Sequence, residues 1–444
     1  MKRFMSVFAA LFLVGCACVE KPLLRIAVTS DAQAINSTSC WGIANTEKAF
    51  DFLSQFKPDV VVMAGDLADR ADPAVFPLYM NLYRKYFPHN PVHVACAGNH
   101  DFRPVGNVAY EDLWNAFADG LQISRDNPGH QVVRGYDFIT LTEEHCDFYS
   151  AEMLSKVKAE LDAAVARDSG KPIFLVTHYP PRDTMIGSQT GVNARAELRT
   201  LLNNYPQVIS LSGHTHRPLE CETAIWQGEF TALTTATLSY ACIGGGDKYF
   251  NVAGGTIPPY AREVQQALLI DIFKNRVEIH RYNVHERREI NPDELWVVDI
   301  PYNPATARLT QARAETAVAP EFPGNAVISM RHDFGFAYLI FTPAKHDRFV
   351  FSYIMRASVK NDDGSWTLVQ ETEHISDFYR YIAHRATEFV IKLPEKTFRV
   401  NKIMKFEIFP QEEFGKCGKP LVLEMLVPPE WNMTRRSKLT WPQE

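Results

Sequence analysis

Residues 59–65 read DVVVMAG and residues 172–178 read PIFLVTH. Neither run alternates between apolar and polar positions, so each expects apolar neighbours on both faces, as a strand does when it lies beneath helices. Each also stops at groups that carry chemistry, Gly65-Asp66 in the first and His178 in the second. Outward from these two runs the chain alternates. LLRIAVTSD (23–31), PVHVACAGNHD (91–101), GYDFITL (135–141) and VISLSGHTH (208–216) read as strands. Between them NTEKAFDFLSQF (45–56), DPAVFPLYMNLYRKYF (72–87), AEMLSKVKAELDAAVARD (151–168) and ARAELRTLLNNY (194–205) carry helical periodicity. EFTALTTATL (229–238) and QQALLIDIFKNRVEIHRYN (265–283) continue the pattern to ELWVVDIP (294–301). The expectation is a layered α/β domain over residues 25–300.

Composition changes after that point. Residues 302–325, YNPATARLTQARAETAVAPEFPGN, are rich in Ala, Pro and Thr and read as a linker or strap, placed at 301–323. Beyond it come short β-branched and aromatic runs, among them RFVFSYIMRASV (348–359) and NKIMKFEIFP (401–410). They are separated by turn chemistry such as NDDGS (361–365), with almost no helical signal. Residues 324–444 are therefore expected to form a smaller all-β sandwich of immunoglobulin or fibronectin type.

The chain has 444 residues, 46% of them hydrophobic and 22% charged, with a formal net charge of −6. That is a globular composition, long enough for more than one core, and it lacks the basic footprint of a nucleic-acid backbone binder. The eight cysteines show no CxxC and no disulfide-scaffold spacing, so no disulfide is assigned. IGGGD (243–247) lacks the strand, helix and lysine that a phosphate-cradling loop needs.

At the start, Lys2 and Arg3 precede an apolar run from Phe4 to Val14 that is too short to span a bilayer, the layout of a secretory signal. Leu13-Val14-Gly15-Cys16 resembles the lipobox of bacterial lipoproteins, which implies cleavage after residue 15, lipidation of Cys16 and a tether over 16–24. The alternative is an ordinary signal peptide cleaved near Gly15 to Cys18. Both readings take the mature chain out of the cytoplasm, and the first keeps it in the cell envelope with an acyl anchor as its membrane contact.

The ends of the buried strands collect potential ligands: Asp31 and Gln33, then Asp66, Asp69 and Arg70, then Asn99 and His100, then His178, then His214 and His216. In α/β sheets the carboxyl ends of strands share an edge, so residues far apart in sequence converge there. Carboxylate, amide oxygen and imidazole are donors for divalent transition metals. Taken alone, LSGHTHRP (211–218) is also how a polar loop leaves a strand. Together, Asp31-Ala-Gln33, Gly65-Asp66-Leu-Ala-Asp69, Gly98-Asn99-His100-Asp101, His178 and Gly213-His214-Thr-His216 follow one another in the order of the calcineurin-like metallophosphoesterases, which the chain resembles over roughly residues 25–300.

That resemblance implies two divalent ions, Mn, Fe, Zn or similar, in a phosphoesterase acting on phosphate mono- or diesters. Asp31, Gln33 and His216 would hold the first ion, Asn99, His178 and His214 the second, and Asp66 would bridge them. His100 would donate a proton to the leaving oxygen with Asp69 orienting it. Arg70 either holds a phosphate oxygen through its planar fork or makes an ordinary surface ion pair. Trp41, Tyr179 and Arg182 follow the motif loops and are candidates for the substrate cleft. Gln33 stands where many relatives have His, and an amide oxygen can still ligate. Asp101, Asp59, His89, His93, His130 and His145 fall outside the assigned roles and are read as structural or solvated. The alternative function is a non-catalytic binding lipoprotein on a decayed scaffold; the intact His100 and Asp69 argue against it.

Overall fold

The computed structural model describes residues 20–102, 108–143, 149–188, 194–243, 257–333 and 336–431. The lipobox, Cys16 included, lies outside them, as do Cys146 and His145. The first series of elements is β1 (Leu24–Thr29), α1 (Trp41–Leu53), β2 (Val60–Ala64), α2 (Val75–Tyr86), β3 (Val92–Cys96) and α3 (Tyr110–Leu121). The second is β4 (Gly129–Val133), β5 (Tyr136–Leu141), α4 (Ala151–Arg167), β6 (Ile173–Thr177), α5 (Ala194–Leu202), β7 (Val208–Ser212), β8 (Ile225–Gln227) and β9 (Thr231–Thr234). Residues 265–283 form a hairpin of β10 (Gln266–Ile272) and β11 (Arg276–Asn283), followed by β12 (Arg288–Glu289) and β13 (Trp296–Asp299).

Two sheets result. One runs β12-β11-β10-β1-β2-β3, with β13 also on β11; the other runs β4-β5-β6-β7-β9-β8. Strands β1, β2 and β3 are mutually parallel, as are β5, β6, β7 and β9. The period of two explains why their sequences are apolar throughout. In β2, Val60, Val62 and Ala64 enter the core between the sheets, while Val61 and Met63 meet the helical layer. In β6, Phe174 and Val176 face the other sheet, and Ile173 and Leu175 face the helices. Helices α1, α2 and α3 cover the first sheet and α4 and α5 the second, giving four layers.

Helix α4 shows how the local sequence cooperates. Ser150 caps it by accepting from Met153 N at 3.0 Å, a contact worth about 1 kcal/mol. Its buried stripe, Met153, Val157, Leu161 and Ala164, keeps one face on the second sheet. Helix α3 has the same spacing at Leu113, Phe117 and Leu121, a signal overlooked above, and β4 and β8 are short edge strands whose pattern is too brief to read.

The Ala- and Pro-rich stretch is a strap packed on the α/β layers and includes α6 (Arg313–Thr316). Gln227 Oε1 accepts from Arg308 N and Leu309 N, and Arg313 pairs with the buried Glu222 at 3.2 Å. Then follow β14 (Ile328–Asp333), β15 (Phe336–Phe341), β16 (Ser352–Lys360), β17 (Trp366–Ile375), β18 (Phe389–Leu393), β19 (Ile403–Gln411) and β20 (Leu421–Leu426). They make antiparallel sheets β14-β15-β18 and β17-β16-β19-β20, closed on a core that contains Leu339, Phe341, Tyr353, Met355, Ile391 and Phe406. The expected β-sandwich is therefore present. The NDDGS turn links β16 to β17 with Gly364 at φ +86°, a conformation that favours glycine. No helix among the described residues is long and apolar enough to cross a membrane. The described cysteines, Cys40, Cys96, Cys221, Cys242 and Cys417, are free thiols.

Candidate metal centre

The carboxyl ends of five parallel strands, three from one sheet and two from the other, deliver the motif loops to one end of the sandwich. The loops are laced together by backbone. Asp31 N donates to Gly65 O, Gln33 N to Asp66 O and Ala34 N to Leu67 O, at 2.8–3.0 Å, so the β1 and β2 loops form one unit. Asp101 joins the β3 loop to it, because its buried carboxylate accepts from Leu67 N, Ala68 N and Gly98 N. The fourth letter of GNHD, read as structural or solvated, is thus a buried clamp beneath the site. Burial and the neighbouring Asp66 charge push its carboxyl up to about 7.

Within this frame Asp31, Asp66 and His178, all buried, place one donor atom each within 4.8 Å of one another. His178 Nδ1 donates to Ala64 O at 3.0 Å, and its buried Nε2 faces Asp66 Oδ2 at 3.2 Å. His216 repeats the arrangement, with Nδ1 on Tyr240 O at 2.8 Å and Nε2 3.1 Å from Asp31 Oδ1. Anchoring one ring nitrogen on a carbonyl fixes the tautomer and leaves the other for a cation, the usual surrounding of a metal-binding histidine. His214 donates its backbone N–H to Asp31, and its Nδ1 lies 3.1 Å from Asn99 Oδ1. Gln33 Oε1 accepts from Ser239 Oγ at 3.2 Å and retains a second lone pair. Of the seven residues that the resemblance assigns to metal, Asp31, Asp66 and His178 form the donor cluster, and Gln33, Asn99, His214 and His216 lie on the loops around it; oxygen and imidazole donors suit divalent transition metals.

Burial alone would push Asp66 toward the neutral acid, but the positive charge of His178 outweighs it and holds Asp66 below the usual carboxylate range. Reciprocally, burial disfavours the His178 imidazolium while Asp66 restores it, raising its pKa to about 10. Asp31 likewise outweighs burial at His216 and raises it. The carboxylates therefore demand a compensating cation at this spot, which a divalent metal ion also provides.

The glycines of the motifs are required by contact. A Cβ on Gly98 would sit 2.3 Å from Asp66 Oδ1, one on Gly213 2.6 Å from Asp31 Oδ2, and one on Gly65 2.4 Å from His178 Nδ1. Asp31, Gln33, Asp66, His214 and His216 all adopt left-handed backbone, with φ between 45° and 66°. Such conformations cost about 1–3 kcal/mol each and persist where the surroundings impose them, most often at functional sites. The central Thr215 of GHTH turns inward, its Oγ1 2.8 Å from Thr234 Oγ1, so the histidines on either side point elsewhere.

Around this centre His100 Nδ1 lies 3.0 Å from Asp69 O and 3.2 Å from Asp69 Oδ1, and its Nε2 lies 3.9 Å from Asp66 Oδ2. Tyr179 packs its ring 4.1 Å from that of His214, and Tyr240 packs 4.5 Å from His216. Tyr240 and Ser239 had no motif to reveal them. Arg70 is exposed, Arg182 lies 3.7 Å from Asp183, and Trp41 stacks under the Arg262 guanidinium at 5.0 Å.

Residues 24–218 match the family model for calcineurin-like phosphoesterase. Among solved structures, the chain is similar to a dimetal phosphatase from Danio rerio at 11% identity, covering 64% of this chain and all of that one, with a TM-score of 0.45. It is also similar to a purple acid phosphatase from yellow lupin seeds at 11% identity, covering 63% of this chain and 54% of that one, with a TM-score of 0.42. A 5′-nucleotidase precursor from Thermus thermophilus is 15% identical over 64% of this chain and 55% of its own, with a TM-score of 0.31. No curated protein matches the chain. All five motif loops converge on one buried donor cluster inside residues 24–218, the segment that is similar to the calcineurin-like phosphoesterases.

Proposed function

We propose that this chain is a metal-dependent phosphoesterase that hydrolyses phosphate mono- or diesters. The observation that carries the reading is the His100–Asp69 pair standing beside the Asp31, Asp66 and His178 cluster. A ligand cage can be kept for folding, but an imidazole held through Nδ1, with Nε2 near the cage, serves proton transfer. Asp31, Gln33 and His216 would hold one ion and Asn99, His178 and His214 the other, with Asp66 between them. Bound divalent cations supply Lewis acidity and bring the pKa of water toward neutrality.

The chain's own residues supply the rest. Asp69 accepts from His100 Nδ1 and fixes the ring, so that Nε2 carries the proton to the departing oxygen. Tyr179 and Tyr240 pack against the two GHTH imidazoles and hold their planes. Arg70 is exposed on the loop that carries Asp69, where its fork meets a phosphate oxygen as the substrate settles. Leu13-Val14-Gly15-Cys16 further supports export and lipidation at Cys16, which would place the site in the cell envelope on an acyl anchor.

The test is turnover of aryl phosphate monoesters and diesters by the purified chain with Mn²⁺, Zn²⁺ or Fe²⁺ added to chelator-stripped protein. Hydrolysis that returns only with metal supports the reading. Undiminished activity in stripped protein, or none on either ester class with any ion, overturns it.

A further inference from the structure

The C-terminal sandwich does more than sit beside the α/β layers. Phe349, Phe351, Phe378 and Tyr379 belong to the same buried cluster as the core between the two large sheets, with Phe349 and Phe378 stacked at 4.4 Å. From there the segment 376–386, between β17 and β18, reaches onto residues 259–265. Tyr379 OH donates to Pro259 O at 2.6 Å. Arg380 grips Glu263 with two nitrogens, at 3.1 and 3.3 Å, and lies over the Tyr260 ring at 4.0 Å. Tyr381 donates to Gln265 and stacks on His285 at 4.4 Å.

The gripped segment is itself fastened to the metal centre. Ala241 N donates to Ala261 O at 2.8 Å and Cys242 N to His216 O at 3.0 Å, while Tyr240 O takes the Nδ1 of His216. On its other side Arg262 lies over Trp41, whose neighbour Gly42 is packed so closely on the Asp31–Gln33 loop that an added Cβ would meet Ala32 O at 2.6 Å. An unbroken series of contacts therefore leads from Arg380 through residues 259–263 and 240–242 to a metal-site histidine. Groups that orient a ligand from behind typically change metal affinity 10- to 100-fold when lost.

We propose that segment 376–386 of the C-terminal sandwich is a working part of the metal-site wall, and that Arg380 is a positioning residue acting on His216 through residues 259–263 and 240–242. The inference rests on the metal-centre reading above. A bidentate guanidinium–carboxylate pair resists rotation as a single contact does not, which suits a brace. The sandwich and the phosphoesterase layers are then one functional unit, and a chain lacking the sandwich would lose its metal-site geometry.

The experiment uses the full chain and two readouts: hydrogen exchange of the Ala241 and Cys242 amides in metal-free protein, and Zn²⁺ and Mn²⁺ titration. Arg380→Ala is expected to speed exchange at both amides and weaken metal binding measurably, by less than the roughly 10- to 100-fold that follows loss of a ligand's direct hydrogen-bond partner, with Arg380→Lys intermediate. Exchanging the charges, Arg380→Glu with Glu263→Arg, should recover both quantities in part, which a loss of general stability would not. If Arg380→Ala does not fold, Tyr379→Phe, which deletes only the bond to Pro259 O, carries the same test with a smaller shift. Unchanged exchange at 241–242, or faster exchange with unchanged metal affinity, overturns the proposal. If the unaltered chain binds neither ion, the phosphoesterase reading fails instead, and the exchange measurement alone decides the brace.

Discussion

Gly98→Ala adds one methyl group at the tightest point of the metal centre. The new Cβ would stand 2.3 Å from Asp66 Oδ1, 2.6 Å from Asp66 N and 2.7 Å from His178 Cδ2. Ordinary contact begins near 3.4 Å, so the carboxylate must retreat by about 1 Å or the β3 loop must back away. Asp66 cannot simply swing aside, because Oδ1 accepts from His100 N at 2.8 Å. Overpacking of this kind costs about 1–3 kcal/mol in stability. A misplacement of about 1 Å at a reacting centre costs roughly 100-fold in rate. The expected result is therefore a folded chain with modestly lowered stability, metal affinity reduced at least tenfold, and phosphoesterase activity reduced about 100-fold. Gly324→Ala is the control, since nothing lies within 4 Å of a Cβ there. Calorimetric Zn²⁺ titration and thermal melting of both variants read the outcome. Metal affinity in Gly98→Ala equal to that of the unaltered chain would refute the packing argument.

His100→Ala should retain metal and slow turnover by roughly 10²- to 10⁴-fold on esters with basic leaving groups, and far less on aryl esters; equal losses across a leaving-group series would show that His100 is not the proton donor. His214→Ala should instead deplete metal and slow all substrates alike, checked by metal content on the same preparations. Burial and the Glu222 charge push the Glu413 carboxyl from 4.5 up to about 7, so the folded chain keeps a proton that the unfolded chain gives up. Stability is then highest below the unfolded value and falls as pH rises through about 7, by about 3 kcal/mol in all; urea unfolding at pH 5 and pH 8 should show a smaller fall in Glu413→Gln, and an identical fall would sink the assignment. Cys16→Ser should release the chain from the membrane fraction, and an unmodified N-terminus by intact mass on the parent protein would contradict the anchor.

What was legible in the sequence followed from residue type and periodicity. Runs such as 59–65 and 172–178 are apolar on both faces, and both are parallel strands sealed between helices and a second sheet. That Asp31, Asp66 and His178 meet was legible because few structural needs put Asp and His at the ends of such strands. The hairpin of β10 and β11 was blurred into one run because its turn at Phe273–Asn275 carries no glycine or proline. Asp101 was passed over because a carboxylate beside GNH reads as another polar loop group, whereas its role depends on three amides brought from two loops. The 301–323 stretch has the composition of a linker, yet Arg313 reaches a buried glutamate, a pairing that composition does not encode.

The contribution of the C-terminal sandwich was illegible for a related reason. Arg380 and Glu263 are ordinary charged residues more than a hundred positions apart, and neither sits in a motif. Their meaning comes from what each is attached to, Glu263 to a segment hydrogen-bonded beside His216 and Arg380 to a loop anchored by Phe378 in the core shared with the large sheets. Five of the motif residues hold a backbone conformation that side-chain-bearing residues avoid. Strain of that kind relaxes unless neighbouring structure opposes it. The motifs name the candidate donors, but the opposing structure is supplied by residues that lack any such signature: Asp101 beneath the β2 and β3 loops, Thr234 behind Thr215, and, through residues 259–263, the arm from the sandwich. A chain with all five motifs intact and this support removed should therefore keep its fold class and lose its affinity for metal.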